Sequence, residues 1–165
     1  MARATGGDGP GVSGGRVLVA GASGALGREV AWSLSASGTP VRALVRSAAR
    51  APAGAAEVAV GDALAPHTLT AAFEGVETVF SALGASVAPV LTGWRGYTGL
   101  DVPANLNLLA AAKQAGVRRF VYVSVFHPQG MRGTPYVAAH ETVVEALRKS
   151  GLSVGIVRPT GFFSA

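Results

Sequence analysis

A chain of 165 residues with 49% hydrophobic content can close one core, as a single domain or as part of a larger one. It contains no cysteine, which excludes a disulfide framework, a thiolate nucleophile and a Cys-based zinc site. The net charge is +5 but only 14% of residues are charged and the arginines are scattered, a balance that favours small anionic ligands and argues against nucleic acid.

Residues 1–15 are Gly-rich with almost no large apolar side chain, and are expected to be a flexible tail. No apolar run approaches the roughly 20 residues of a membrane span, and the N-terminus lacks the apolar stretch of a secretory signal. The expectation is a soluble cytoplasmic protein without a membrane partner. From Arg16, β-branched runs alternate with helical patterns: strands over 16–22, 41–46 and 57–62, with a helix between the first two. In that helix Leu26, Val30 and Leu34 recur every four residues, Trp32 is expected to pack on the sheet, and Gly38 stands at the C-terminal cap. A second helix is expected from Pro66, burying Leu69, Ala72 and Phe73 and leading through Gly75 to a strand over 78–83. Residues 84–100 have no clear period and read as a long loop near a site, in which Trp94 and Tyr97 either line a pocket or anchor the loop. A helix from about Pro103 with Leu106, Leu109 and Ala110 on one face follows, then a strand over 119–125, a helix ending at Lys149 and a strand over 153–159. The alternation predicts a doubly wound α/β fold in three layers around a parallel sheet of about six strands.

Between the first strand and the first helix, Gly21, Gly24 and Gly27 are spaced G-x-x-G-x-x-G. The first permits a tight turn, the second lets backbone approach a pyrophosphate, and the third lets helix and strand pack closely. The helix N-terminus adds free N–H groups and the positive end of its dipole. Spacing and position predict a Rossmann dinucleotide site built from Gly21, Ser23, Gly24, Ala25, Leu26 and Gly27. Where an NAD site keeps an acid at the end of the second strand, this chain has Arg46, with Arg42 and Arg50 nearby, so NADP(H) is the expected cofactor and NAD(H) the alternative. Asp62 either meets the adenine edge, together with Ala63, or is an acid at a helix N-terminus.

The segments "GASGALG", "GD" after the third strand, "NLNLLAAAKQAGVRRFVYVSV" and "RPTGFF" resemble the atypical short-chain dehydrogenases of the NmrA-like and isoflavone-reductase-like group, over nearly all of residues 16–165. The resemblance implies NADPH binding, a substrate pocket at the carboxyl ends of the strands with Leu83, Gly84 and Pro159 beside the cofactor, and either reductase activity or a regulatory role that senses the dinucleotide. It also implies a Ser–Tyr–Lys mechanism. Ser124 and Tyr136 stand at the family spacing, but the lysine position holds His140, and Asp101 stands where members commonly have asparagine. Neutral histidine supplies little of the field that lowers a tyrosine pKa. His140 shares a helical face with Val137, Val144 and Leu147, and is either a relay or a hydrogen-bonded packing residue; Ser124 and Tyr136 likewise have plain structural alternatives.

His67, His127 and His140 show no metal-ligand spacing, so no metal site is expected. The sequence therefore predicts an NADPH-dependent reductase acting on a small organic carbonyl or conjugated double bond; the rival is a module that reports the NADPH/NADP⁺ ratio to a partner protein. The chain ends shortly after Phe162 and Phe163, where family members continue into segments covering the substrate. An open substrate side is the corresponding expectation.

Overall fold

The computed structural model describes residues 15–84 and 97–160. Among them β1 (Arg16–Ala20), β2 (Val41–Val45), β3 (Glu57–Val60), β4 (Val76–Ser81), β5 (Arg119–Val123) and β6 (Ser153–Val157) form one parallel sheet in the order β3-β2-β1-β4-β5-β6. Strand order reverses between β1 and β4. In open α/β sheets that reversal opens a crevice at the carboxyl ends of the strands, and ligands bind there. The predicted fold class is the observed one; five strands are a residue or two shorter than expected, and β4, expected over 78–83, begins and ends two residues earlier.

Helices cover both faces. α1 (Ala25–Ala36) lies on the side where Val17, Val19, Val41, Ala43 and Val45 are buried. α2 (Val102–Gln114) and α3 (Pro135–Arg148) cover the other side, where Leu18, Val79, Phe120 and Tyr122 meet Leu108, Val144 and Leu147. The alternation of side chains along β1 sends Leu18 to one helical layer and Val17 and Val19 to the other.

Three expectations are corrected. The segment from Pro66 is not an α-helix but two short 3₁₀ turns, Pro66–Thr68 and Ala71–Phe73, although Leu69, Ala72 and Phe73 are buried as expected. The Thr68 hydroxyl accepts the Asp62 N–H at 2.9 Å and donates to the Ala65 carbonyl at 2.7 Å, a local arrangement that competes with helical pairing. In α2 the buried row is Ala104, Asn105, Leu108, Leu109 and Ala112, while Ala110 is exposed and Leu106 half-buried. Leu109 is buried as expected, while the places expected for Leu106 and Ala110 are taken by Asn105 and Leu108. Trp32 is 62% exposed, because Gly27 and Ala31 occupy the row of α1 that touches the sheet. Trp94, Phe162, Phe163, the N-terminal tail to residue 14 and most of the 84–100 loop lie outside the described residues.

Candidate functional site

The glycine turn has the form its spacing predicts. Gly21 has φ +80°, and a Cβ there would meet the Ala82 carbonyl at 2.9 Å, at the end of the neighbouring strand β4. A Cβ on Gly27 would strike the Gly21 carbonyl. Gly24 differs: a Cβ there would meet only the Gly21 carbonyl, at 3.3 Å, so its outer side is left open for a ligand. Gly24 is also the N-cap of α1, with no side-chain cap and no acid in the first turn, leaving the N–H groups of Ala25, Leu26 and Gly27, ahead of the first helical bond from Arg28 to Gly24, to an incoming anion. These features fit a dinucleotide pyrophosphate.

Beside the turn, Ser23, Arg28, Ala49, Arg50, Ala51, Pro52 and Ala53 enclose a groove of about 450 Å³. Arg28 reaches back to donate to the Ser23 carbonyl at 3.1 Å. Arg46 is exposed immediately after β2, four residues before Arg50. Among the described residues no carboxylate pairs with Arg28, Arg46 or Arg50, whereas Arg16, Arg42, Arg118 and Arg158 all hold acids. Arg42, expected near this site, is at the amino end of the sheet. It holds Glu57 at 2.7 Å and donates to the carbonyls of Ala72 and Glu74, both at 2.8 Å. Arg28, adjacent to the last glycine of the motif, was missed in the sequence; its signal was a cation in the first turn of a helix, where a cation is disfavoured unless an anion sits nearby.

After β3, beyond β2 on the same side of the sheet as the arginines, Asp62 accepts the Leu64 N–H at 2.9 Å through Oδ1, so its carboxylate shapes a local turn rather than an α-helix start. Ala63 is buried, and its carbonyl takes a 2.8 Å hydrogen bond from Asn107. After β4, buried Ser81 donates to Asn105 Oδ1 at 2.6 Å, and the Asn105 amide donates to the carbonyls of Asp101 at 2.9 Å and Leu83 at 3.4 Å. Ser81, Asn105 and Asn107 thus fix the backbone of two expected cofactor contacts, Ala63 and Leu83. Polar residues within an otherwise apolar helix were the available sign. Gly84 is exposed with open space where a Cβ would stand.

The expected catalytic group comes from β5 and α3. Ser124 continues the β5–β6 ladder, its N–H donating to the Val157 carbonyl at 2.8 Å; its Oγ is buried and has no hydrogen-bond partner among the described residues. An unsatisfied buried hydroxyl at the carboxyl end of a strand is a candidate for a substrate contact. Tyr136 and His140 touch edge-on, ring centroids 4.8 Å apart. His140 is 6% exposed, its Nδ1 lies 2.7 Å from the Tyr122 hydroxyl, and burial holds its pKa down at about 4. At neutral pH the lysine position therefore carries no charge. Nearby, Glu141 binds Arg158 at 2.6 Å and His127 at 3.2 Å, tying α3 to the ends of β5 and β6, and the Pro159 carbonyl accepts the Phe126 N–H at 3.0 Å. Among the described residues no cluster of His, Asp and Glu has the makings of a metal site, and no helix is long and apolar enough to cross a membrane.

The family model described as NAD(P)H-binding matches residues 21–164, from the first glycine of the turn almost to the last residue. The chain belongs to this NAD(P)H-binding family. Among curated proteins, this family member is 32% identical over 150 residues to the photosystem II assembly factor Ycf39 of Cyanidium caldarium, covering 89% of this chain and 47% of that one. It is 38% identical over 108 residues to the NAD(P)H azoreductase of Xenophilus azovorans, covering 64% of this chain and 34% of that one. Among solved structures, the NADPH-dependent quinone oxidoreductase of Escherichia coli, complexed with NADPH, is similar with a TM-score of 0.67 and 26% identity, over 86% of this chain and 48% of that one. This NAD(P)H-binding chain thus spans about half the length of the photosystem II assembly factors it matches.

Proposed function

We propose that this NAD(P)H-binding chain takes NADPH in preference to NADH and serves reduction of a small organic carbonyl or conjugated double bond, in the manner of NmrA-like atypical short-chain dehydrogenases. The observation that carries the cofactor preference is the groove beside Ser23, where Arg28 and Arg50, with Arg46 close in sequence, stand without a described counter-charge. A 2′-phosphate supplies that counter-charge; a bare ribose hydroxyl does not. The chain's own residues then have distinct tasks. The α1 N-terminus and Gly24 hold the pyrophosphate, Arg46 and Arg50 the 2′-phosphate, and Asp62, Ala63, Leu83 and Gly84 line the path across the crevice. The dihydronicotinamide, when bound, supplies the hydride. Ser124 Oγ orients the substrate oxygen and Tyr136 gives it a proton. The azoreductase and quinone oxidoreductase relatives support a reductive role. A small-molecule substrate and a cytoplasmic setting belong to this reading.

A second reading has one specific observation in its favour. His140, buried and uncharged, lacks the ammonium that assists proton transfer in a Ser–Tyr–Lys site. On this reading the chain binds NADPH and reports it to a protein partner without turnover; the assembly-factor relative is compatible with it.

Fluorescence titration with NADPH and NADH tests the cofactor claim. A charge-assisted contact of about 1.5–3 kcal/mol corresponds to a preference of roughly ten- to 150-fold. Arg46→Ala and Arg50→Ala should weaken NADPH and leave NADH where it was. Equal affinities in the wild type would remove the phosphate-recognition claim. NADPH oxidation lost in Tyr136→Phe by a factor of about 10² to 10⁴ would support proton donation; an active Tyr136→Phe chain would refute it, and no turnover with any carbonyl or quinone would favour the sensing role.

A further inference from the structure

Behind the Tyr136–His140 pair lies a residue to which neither the family spacing nor the relatives assign a role. Tyr122, on β5, is 1% exposed. A phenol at that depth has to place its O–H, and the described acceptor within reach is His140 Nδ1 at 2.7 Å. Burial pushes the Tyr122 pKa well above the ordinary phenol value, so Tyr122 keeps its proton and donates it. The proton of His140 then resides on Nε2. The two rings lie 5.8 Å apart, and the imidazole meets Tyr136 at an interplanar angle of 81°. One side of His140 is thus fixed by the sheet, and its ring bears on the proposed proton donor.

We infer that Tyr122 is a positioning residue of the α3 proton-donor site: its hydroxyl holds His140 in one uncharged tautomer, edge-on to Tyr136, and through that ring sets the orientation of Tyr136. The inference rests on the reading that Tyr136 gives up a proton. In that step the Tyr136 O–H bond breaks as an O–H bond forms on the substrate oxygen, and the resulting phenolate takes its proton back from water. His140 exchanges no proton in the cycle; it supplies orientation where lysine would supply charge. The other ionisable groups acting on the pair are Glu141, beside His140 on α3, and Asp101 at the start of α2. Both are acids, and the bond from Tyr122 is what gives the imidazole a fixed donor despite them.

The test uses the whole chain without cofactor, labelled with ¹⁵N at histidine and ¹³C at the tyrosine ring, with His140→Gln and Tyr136→Phe to assign signals. Long-range ¹H–¹⁵N spectra from pH 5.5 to 8 should show His140 as a single tautomer, protonated at Nε2, that does not titrate in this range. Tyr122→Phe should abolish the single-tautomer signature and move the ring-carbon signal of Tyr136. A wild-type His140 protonated at Nδ1, or titrating in this range, overturns the inference, and this arm needs no variant of Tyr122 to fold. Unchanged His140 and Tyr136 signals in a folded Tyr122→Phe chain overturn it as well. Because these readings need no turnover, they stand apart from the outcome of Tyr136→Phe kinetics, which decides only whether Tyr136 is the proton donor.

Discussion

The three glycines of the turn do different work. Gly21 needs its positive φ and its closeness to β4, Gly27 lets α1 settle on the turn, and Gly24 leaves room for a ligand. Gly27→Ala would drive a methyl against the Gly21 carbonyl, so it should destabilise the chain by about 1–3 kcal/mol, as overpacking does, and weaken NADPH and NADH alike. Thermal unfolding and cofactor titration read the two effects; an unchanged melting temperature with full binding would contradict the packing described. This part of the site was legible because glycine carries its geometry in its identity. The arginines were legible only in part. Arg42 and Arg46 are equally basic in sequence, but Arg42 pairs across the sheet with Glu57 and caps carbonyls at 72 and 74. Such long-range partners leave no local pattern. Trp32 failed for the opposite reason: its apolar bulk suggested burial, yet two smaller residues hold the contact row of α1.

At the scale of elements, strands were read well because parallel strands buried on both faces appear as continuous apolar runs. The turns over 66–73 were not, since a burial pattern of helical spacing can be met by two 3₁₀ turns held by one threonine. α3 was read correctly on its face, and its His140 leads to a pH prediction. In the unfolded chain a histidine titrates near 6.5, whereas burial lowers the folded value to about 4. The unfolded state therefore takes up the proton first on acidification. Stability is full above pH 6.5 and falls as pH drops from there towards 4, by about 3 kcal/mol from this residue if each unit is worth about 1.4 kcal/mol. Urea midpoints at pH 7.5 and 4.5 should differ accordingly, and His140→Gln should narrow the gap. A midpoint independent of pH across this window would mean that His140 is not buried neutral between β5 and α3.

For the whole molecule, the topology does more than any single residue to place the site. Strand order reverses between β1 and β4, the glycine turn follows β1, and Leu83 and Gly84 follow β4, so both halves of the crevice meet at the carboxyl ends of the two central strands. The exposed arginines extend that end on the β2 side, and Ser124, Tyr136 and Pro159 stand on the β5–β6 side. A different groove, of about 320 Å³, lies between the 66–74 segment and the second half of α2, lined by Phe73, Ala111 and Gln114 among others. Hydrogen–deuterium exchange of the whole chain with and without saturating NADPH separates the two directly. NADPH should slow exchange over 22–28, 46–50 and 62–64 while leaving 107–115 unchanged. Protection of 107–115 with residues 22–28 and 46–50 unprotected would contradict a cofactor held by the glycine turn and the arginines.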